Sequence, residues 1–202
     1  ILSYVALILC LSGVYASAAD FDYNINPDDN LIIVEIGDKS LSMKLFTDPD
    51  ISGTALHNPR VTDLDWVEVR KSAAGGNPEA AYLFAHRLLS MQRPYNEVAH
   101  WLERAATKGH RAAENDLGMM TMLGLGVTRD RTVAYDLFLR SSRRGAPMGH
   151  LNVALCQLGG VGCRPDYQSA KSHIERAVRQ KLARAELFMA FNHYFGTSIA
   201  RE

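Results

Sequence analysis

The feature that most constrains the fold of this chain is an internal repeat of 33 to 36 residues. A hydrophobic residue stands four positions after the start of each unit, and a small residue follows it. Repeats of this length are typical of stacked helix pairs, because one pair cannot bury its apolar face without a neighbour. The spacing predicts three full units and the beginning of a fourth. The starts are Ala80, Ala113, Gly149 and Ala185, and the full units are 80–112, 113–148 and 149–184.

Each unit is predicted to fold as helix, turn, helix. In the second unit, Gly124-Leu125-Gly126-Val127 ends the first helix and turns the chain. Asp130 and Asp166 then stand where a helix N-cap is wanted, ahead of apolar residues at helical spacing. Asn77-Pro78-Glu79 provides a cap, a first-turn proline and a first-turn acid for the first unit.

These residues resemble the Sel1-like repeat family. The resemblance covers about two-thirds of the chain and implies an all-α fold, a short α-solenoid of helix-turn-helix repeats of the kind that serve as scaffolds or adaptors. A shared fold does not by itself imply a shared function. The second unit carries the motif residues Ala113, Leu117, Gly118, Gly124, Gly126, Val127, Asp130, Ala134, Phe138 and Gly145.

The other units depart from the family pattern at a few positions. The first unit lacks three residues in its internal turn, between Ser90 and Tyr95, so that turn must be built differently. The third has Cys163 where valine is usual and Lys181 where glycine closes the unit. The family tyrosine of the first helix is replaced throughout, by Leu88, Thr121, Gln157 and His193.

The chain ahead of the first full unit is divided into three parts. Residues 62–76 resemble the second helix of a degenerate repeat, which extends the repeat domain to 62–202. Residues 20–61 are a separate acidic segment, in which 31–36 and 40–46 are β-prone and joined by Gly37-Asp38-Lys39. We interpret that stretch as a β-hairpin.

Residues 1–19 carry no charge and are mostly apolar, and Ala16-Ser17-Ala18 fits a signal-peptide cleavage site. This predicts an exported protein, with the bacterial periplasm as the expected compartment. An uncleaved membrane anchor is the alternative, because roughly 20 apolar residues suffice to span a bilayer. A secreted protein is a further one.

The zero net charge hides an uneven distribution. Residues 20–69 hold 11 acidic and 3 basic side chains, and residues 70–202 hold 11 acidic and 19 basic. Cations recur on the second helices, which indicates either a solvated helix face or a basic stripe for an acidic partner. Export disfavours nucleic acid as that partner. The stripe residues are Arg140, Arg143, Arg144, Arg176 and Arg179, with Lys181 beside them.

The cysteines after the apolar run are Cys156 and Cys163. In an oxidising compartment two cysteines seven residues apart across a glycine-rich turn are compatible with a local disulfide. Two unrelated small hydrophobic residues in a helical core are the alternative.

First helices usually line the concave face of a helix-pair solenoid, so positions three and seven after each start are candidates for partner binding. Their mixed polarity suits a protein or peptide. The candidates are Leu83, Arg87, Asp116, Met120, Asn152, Phe188 and Asn192, and Cys156 occupies the remaining position.

Catalytic motifs are absent from the sequence: it has no G-x-S-x-G, S-x-x-K, P-loop, H-E-x-x-H or C-x-x-C. The seven histidines lack metal-ligand spacing, so no metal or cofactor is expected. We therefore expect a non-enzymatic scaffold, adaptor or regulator of the cell envelope. The alternative is an envelope hydrolase or small-ligand-binding protein on the same repeats, since cysteine-rich relatives in the family are associated with β-lactam binding.

Overall fold

A computed structural model describes residues 65–186 and 189, together with the backbone of three strands at 23–26, 31–36 and 39–44. The predicted signal segment, 1–19, lies outside the described residues. Helices follow one another along the repeat region, and a further helical stretch begins at residue 183. Their bounds are α1 Trp66–Ala74, α2 Pro78–Ser90, α3 Tyr95–Thr107, α4 Arg111–Leu123, α5 Arg131–Arg143, α6 Pro147–Gly159 and α7 Tyr167–Arg179.

The helix starts confirm the predicted caps. The Asn77 side chain accepts a hydrogen bond from the backbone N–H of Ala80 at the start of α2. Asp130 and Asp166 do the same for α5 and α7. These bonds satisfy backbone donors that a helix leaves unpaired in its first turn. The predicted degenerate helix corresponds to α1, which Asp65 caps.

Three antiparallel strands precede the helices, in the order β1 Tyr23–Asn26, β2 Leu31–Ile36 and β3 Lys39–Lys44. Strands β2 and β3 pair from Leu31 opposite Lys44 to Ile36 opposite Lys39. They occupy the positions predicted for a hairpin. Strand β1, which pairs with β2, was not predicted.

The described helices belong to two compact units. Helices α1 to α4 lie in the N-terminal unit, residues 22–129, and α5 to α7 lie in the C-terminal unit, which contains residues 130–202. Within each unit, helices that are consecutive in sequence pack together. Small residues sit where they approach: Ala85 on α2 and Ala105 on α3 are fully buried, and Gly149 on α6 lies against Ser142 of α5.

The turn inside a repeat touches the backbone of the preceding repeat. Gly126, after α4, has φ +66°, and a Cβ there would overlap the carbonyl carbon of Tyr95 at the start of α3. Gly162, after α6, has φ +71°, and a Cβ there would overlap the carbonyl oxygen of Arg131 at the start of α5. Gly126 and Gly162 are 36 residues apart, and so are Tyr95 and Arg131. Only glycine fits both the left-handed backbone and the close approach.

The chain also adopts a left-handed conformation just after each second helix. Gly109 and Gly145 hold it after α3 and α5, with φ +81° and +77°. Lys181, which replaces glycine in the third unit, takes the same conformation after α7 with φ +57°. The substitution has therefore kept the turn, at the energetic cost of a side chain in the left-handed region.

Within the part of the chain that the structure describes, no helix is long and apolar enough to span a bilayer.

Candidate functional site

A polar network joins the first helices of the first two repeats, α2 and α4. The Asp116 carboxylate on α4 lies 2.9 Å from Nε2 of His86 on α2. It also accepts hydrogen bonds from the Tyr82 hydroxyl and, at 3.1 Å, from Nδ2 of Asn115. With these neighbours around it, the carboxylate serves as an acceptor that ties α2 to α4.

His110 extends this network to the start of α4. Its Nδ1 accepts a hydrogen bond from the backbone N–H of Ala113, so the histidine takes the place of an N-cap residue. The proton must then reside on Nε2, which lies 2.9 Å from the Glu79 carboxylate. The imidazole stacks on the ring of Tyr82 at a centroid distance of 4.4 Å. Together these contacts fix how α4 begins beside α2.

The chemistry of Tyr82 follows from its surroundings. Burial raises the pKa of the hydroxyl, and the negative charge of Asp116 and the hydrogen bond to it raise the pKa further. The phenol therefore stays neutral and acts as a hydrogen-bond donor to the carboxylate.

A small cavity lies beside the His86–Asp116 contact. It is lined by Ala85, His86, Leu89, Val98, Leu102, Asp116 and Met120.

A second polar cluster joins the three helices of the C-terminal unit. Nε2 of Gln157, on α6, donates to the Tyr135 hydroxyl on α5 at 3.2 Å and to Oγ of Ser169 on α7 at 2.9 Å. Gln157 is buried, and its Oε1 has no hydrogen-bond partner among the described residues. Gln157 stands where the family has tyrosine, so this departure creates a contact between three helices.

The two cysteines, for which a disulfide was one prediction, are free thiols in the structure. Cys156 is buried in α6, and burial raises its pKa well above the usual range. Cys163 is half-buried: burial raises its pKa, while a hydrogen bond from Tyr135 opposes that rise. Both thiols are thus protonated at neutral pH, which fits the alternative prediction of small apolar residues.

Two histidines meet between α6 and α7. The Nδ1 atoms of His150 and His173 lie 3.0 Å apart, so one ring must donate its proton to the other. Burial lowers the pKa of His173 to about 4, helped by His150 and by the positive charge of Arg176. Burial and Arg176 also lower the pKa of His150. Both rings are therefore neutral at pH 7 and act as a hydrogen-bonded pair.

The comparison with protein families accounts for the repeats. The Sel1 repeat model matches residues 99–110, 111–145 and 147–182. The chain carries Sel1 repeats. The first match begins within α3, downstream of the shortened turn, and the other two span α4–α5 and α6–α7. A comparison with curated proteins gives no significant match.

Two solved structures share this fold. A Sel1 repeat protein from Oxalobacter formigenes is 26% identical with a TM-score of 0.57, over 62% of this chain and 97% of that protein. A protective antigen of uropathogenic Escherichia coli strains is 17% identical with a TM-score of 0.51. That second match covers 69% of this chain but only 38% of the antigen, so the similarity extends to the fold alone. The predicted fold class, helix-turn-helix repeats of the Sel1 type, is confirmed.

The predicted binding residues differ in their exposure to solvent. Leu83 and Arg87 on α2 and Asp116 on α4 are partly exposed, as a binding surface requires. Met120 and Asn152 are buried, at 1% and 3% exposure, so their assignment to an open face was wrong. On α4 the register was off by one position, since the neighbouring Met119 is partly exposed. On α6 no shift would help, because every residue from Gly149 to Leu158 is buried. The last two predicted residues, Phe188 and Asn192, lie outside the described residues.

The residues of the predicted basic stripe are exposed on α5, on α7 and in the residues that follow them. A structural role is visible at the equivalent position of the first repeat, Arg104. Its guanidinium donates to the carbonyl oxygens of Ala73 and Ala74 at the end of α1 and lies over the Trp101 ring. An arginine here stabilises a helix C-terminus in addition to any contact with a partner.

The networks themselves were missed from the sequence. Tyr82 and His86 are one helical turn apart and thus share a face, but their partner Asp116 is 30 residues beyond His86. His110 could have been found, because it is 33 residues after the N-cap residue Asn77 and occupies the same place in its repeat.

Proposed function

We propose that this protein is an exported scaffold or adaptor that holds a protein or peptide partner on the surface of α2 and α4. Sel1 repeats generally mediate protein–protein interactions and are typically non-enzymatic. The absence of enzymatic activity in this chain and its place in the cell envelope are part of the proposal.

The observation that carries the proposal is the network centred on Asp116. It ties α2 and α4 together through buried or half-buried groups, so the side chains next to it are held in place before a partner arrives. A surface that is already ordered loses less entropy on binding. Tyr82 and His86 are committed to Asp116, which makes this network a structural support for a binding surface.

The partly exposed side chains of the network and of the residues beside it suit a peptide. Leu83 and Arg87 are one turn apart on α2, and Asp116 and Met119 are nearly one turn apart on α4. Arg87 lies over the ring of Trp66 on α1, 5.2 Å from its centroid, which extends the surface to a third helix. Apolar, cationic and acidic groups in one area can bind the side chains of a peptide and orient it.

A site-specific photocrosslinker tests the surface. The crosslinking residue replaces Leu83 in the full chain, expressed in its own host, and a matched control carries it at the exposed Glu103 on α3. We expect a defined crosslinked partner at Leu83 only, and its yield should fall when Arg87→Glu is added. Equal labelling at both positions, or labelling at neither, would refute the proposed surface.

Cell fractionation tests export. The uncharged segment 1–19 with its small residues supports removal of a signal peptide and release into the periplasm. A mature N-terminus close to residue 19 or 20, found in the periplasmic fraction, is the expected result. A chain that keeps residues 1–19 and sediments with membranes would indicate an anchor, and a chain retained in the cytoplasm would contradict export.

A further inference from the structure

The second helices of the C-terminal unit end at the same edge. His150, at the start of α6, contacts His173 at the middle of α7 and lies near enough to Arg176, in the last turn of α7, for that charge to lower its pKa. Gly149, beside it, lies against Ser141 and Ser142 at the end of α5, where an added Cβ would come within 2.6 Å of the Ser142 nitrogen. The start of α6 is therefore next to the ends of both α5 and α7. Gln157, near the end of α6, contacts the first halves of α5 and α7. The end of α6 and the starts of α5 and α7 therefore lie at the opposite edge.

Six cations stand at this edge, and we name them the basic edge. Arg143 and Arg179 occupy equivalent positions 36 residues apart, as do Arg140 and Arg176. All six side chains are exposed. The basic edge consists of Arg140, Arg143, Arg144, Arg176, Arg179 and Lys181.

The charges on α5 and α7 are separated along the helix axis. Asp130 and Asp166 cap the N-termini, and each helix is 13 residues long, which amounts to about 20 Å. This exceeds the screening length of roughly 8 Å in physiological salt, so these acids do not neutralise the basic edge. The nearer acids are Asp136, Glu175 and Glu186, half as many as the cations.

The positive charge of the basic edge affects the neighbouring titratable groups. The positive charge of Arg176 contributes to the lowered pKa of both His150 and His173. The start of α6 adds the positive end of its helix dipole at the same place. The edge therefore attracts anions.

The composition of the edge favours an acidic protein segment over a membrane. Five of the six cations are arginines, whose planar guanidinium groups bind carboxylates through paired hydrogen bonds. Binding at a membrane surface also requires apolar side chains that enter the lipid. The large apolar residues exposed in the described part of this unit are Val133 and Tyr167, at the first turns of α5 and α7 and thus at the opposite edge.

We propose that the basic edge binds a glutamate- or aspartate-rich segment of a partner protein. This inference rests on the scaffold function proposed above and adds a second contact surface, on the second helices. The paired arginines at equivalent positions of successive repeats match an extended acidic segment that runs from α5 to α7.

The test uses the full chain and a fluorescein-labelled poly-glutamate peptide, with binding followed by fluorescence polarisation at low and physiological salt. Arg143→Glu/Arg179→Glu is the test variant. Arg70→Glu/Arg164→Glu is the matched control, because it reverses two exposed cations that are not among the six of the basic edge and changes the net charge equally. We expect about tenfold weaker binding for the test variant, less than about threefold for the control, and a steep salt dependence.

Three results would overturn the proposal: equal losses in both variants, no binding of the peptide to the unchanged chain at low salt, or tighter binding to phosphatidylserine vesicles or duplex DNA than to the peptide. Circular dichroism checks folding, and Arg143→Gln/Arg179→Gln replaces the test variant if the charge reversals unfold the chain. Absence of the crosslink at Leu83 with intact peptide binding would refute only the proposed surface on α2 and α4. A crosslink at Leu83 without binding of the poly-glutamate peptide would refute only the proposed role of the basic edge.

Discussion

Replacing Gly126 by alanine is expected to destabilise the N-terminal unit strongly. Two effects add. A residue with a Cβ in the left-handed region costs about 1–2 kcal/mol. The new Cβ would also overlap the backbone at Tyr95, which cannot swing aside as the end of a side chain can. Forcing the helix start outward costs about 1–3 kcal/mol more. The sum is about 2–5 kcal/mol, a large part of an ordinary domain's stability.

Gly76 provides the matched control for Gly126. It lies after α1 with φ +93°, and a Cβ there would meet no atom within 4 Å. Gly76→Ala therefore carries only the left-handed cost of about 1–2 kcal/mol. Both changes reduce the freedom of the unfolded chain in the same way, so this contribution cancels in the comparison.

The assay is equilibrium unfolding in urea, followed by circular dichroism at the helical band. The midpoint should move to lower urea for both variants and clearly further for Gly126→Ala. The reasoning would be refuted if Gly126→Ala cost no more than Gly76→Ala, because the close approach of turn to helix would then make no contribution.

Three further changes test other contacts of the repeats. Lys181→Gly should stabilise the C-terminal unit by about 1 kcal/mol in urea unfolding, because glycine adopts the left-handed turn without strain, and Lys181→Ala should bring no such gain. The pKa of His173, about 4 against an ordinary 6.5, means that the unfolded chain binds the proton first. The free energy of unfolding should thus be highest above pH 6.5 and fall by about 2 kcal/mol as the pH drops to 4. His173→Gln should flatten this pH dependence. A variant with the same pH profile as the unchanged chain would contradict the explanation. Asp116→Ala should cost about 2–4 kcal/mol, because the Tyr82 hydroxyl and its neighbours lose their acceptor; thermal melts that match the unchanged chain would exclude the network as a support.

The parts of the fold that depend on local chemistry could be predicted from the sequence. A cap such as Asn77 or Asp130 binds a backbone N–H two or three residues after it, so the interaction can be recognised within one turn of sequence. The turn glycine Gly124 acts in the same local way, because it ends α4 in the left-handed conformation. The helix-turn-helix order and the repeat boundaries follow from these signals and from the 36-residue spacing.

The parts that depend on neighbouring helices could not be predicted. Whether Asn152 faces solvent or a neighbour is decided by the packing of its whole helix: α6 lies against both α5 and α7 and is buried from Gly149 to Leu158. The Asp116 network joins residues about 30 positions apart, and no pattern on a single helix shows that contact. Lys181 shows the converse, because its turn kept the family geometry although the family residue was lost.

The contact made by Gly126 and Gly162 also bears on how the repeats can diverge. Each glycine rests on the main chain at the start of an earlier helix, and the residues there are Tyr95 in one case and Arg131 in the other. A contact with the main chain does not depend on the side chain of the residue contacted. The residues at the positions of Tyr95 and Arg131 can therefore change, whereas the glycine cannot. Degenerate copies of this repeat are therefore best sought by that glycine and its spacing, since mutation can erase the rest of the motif and leave the stacking intact.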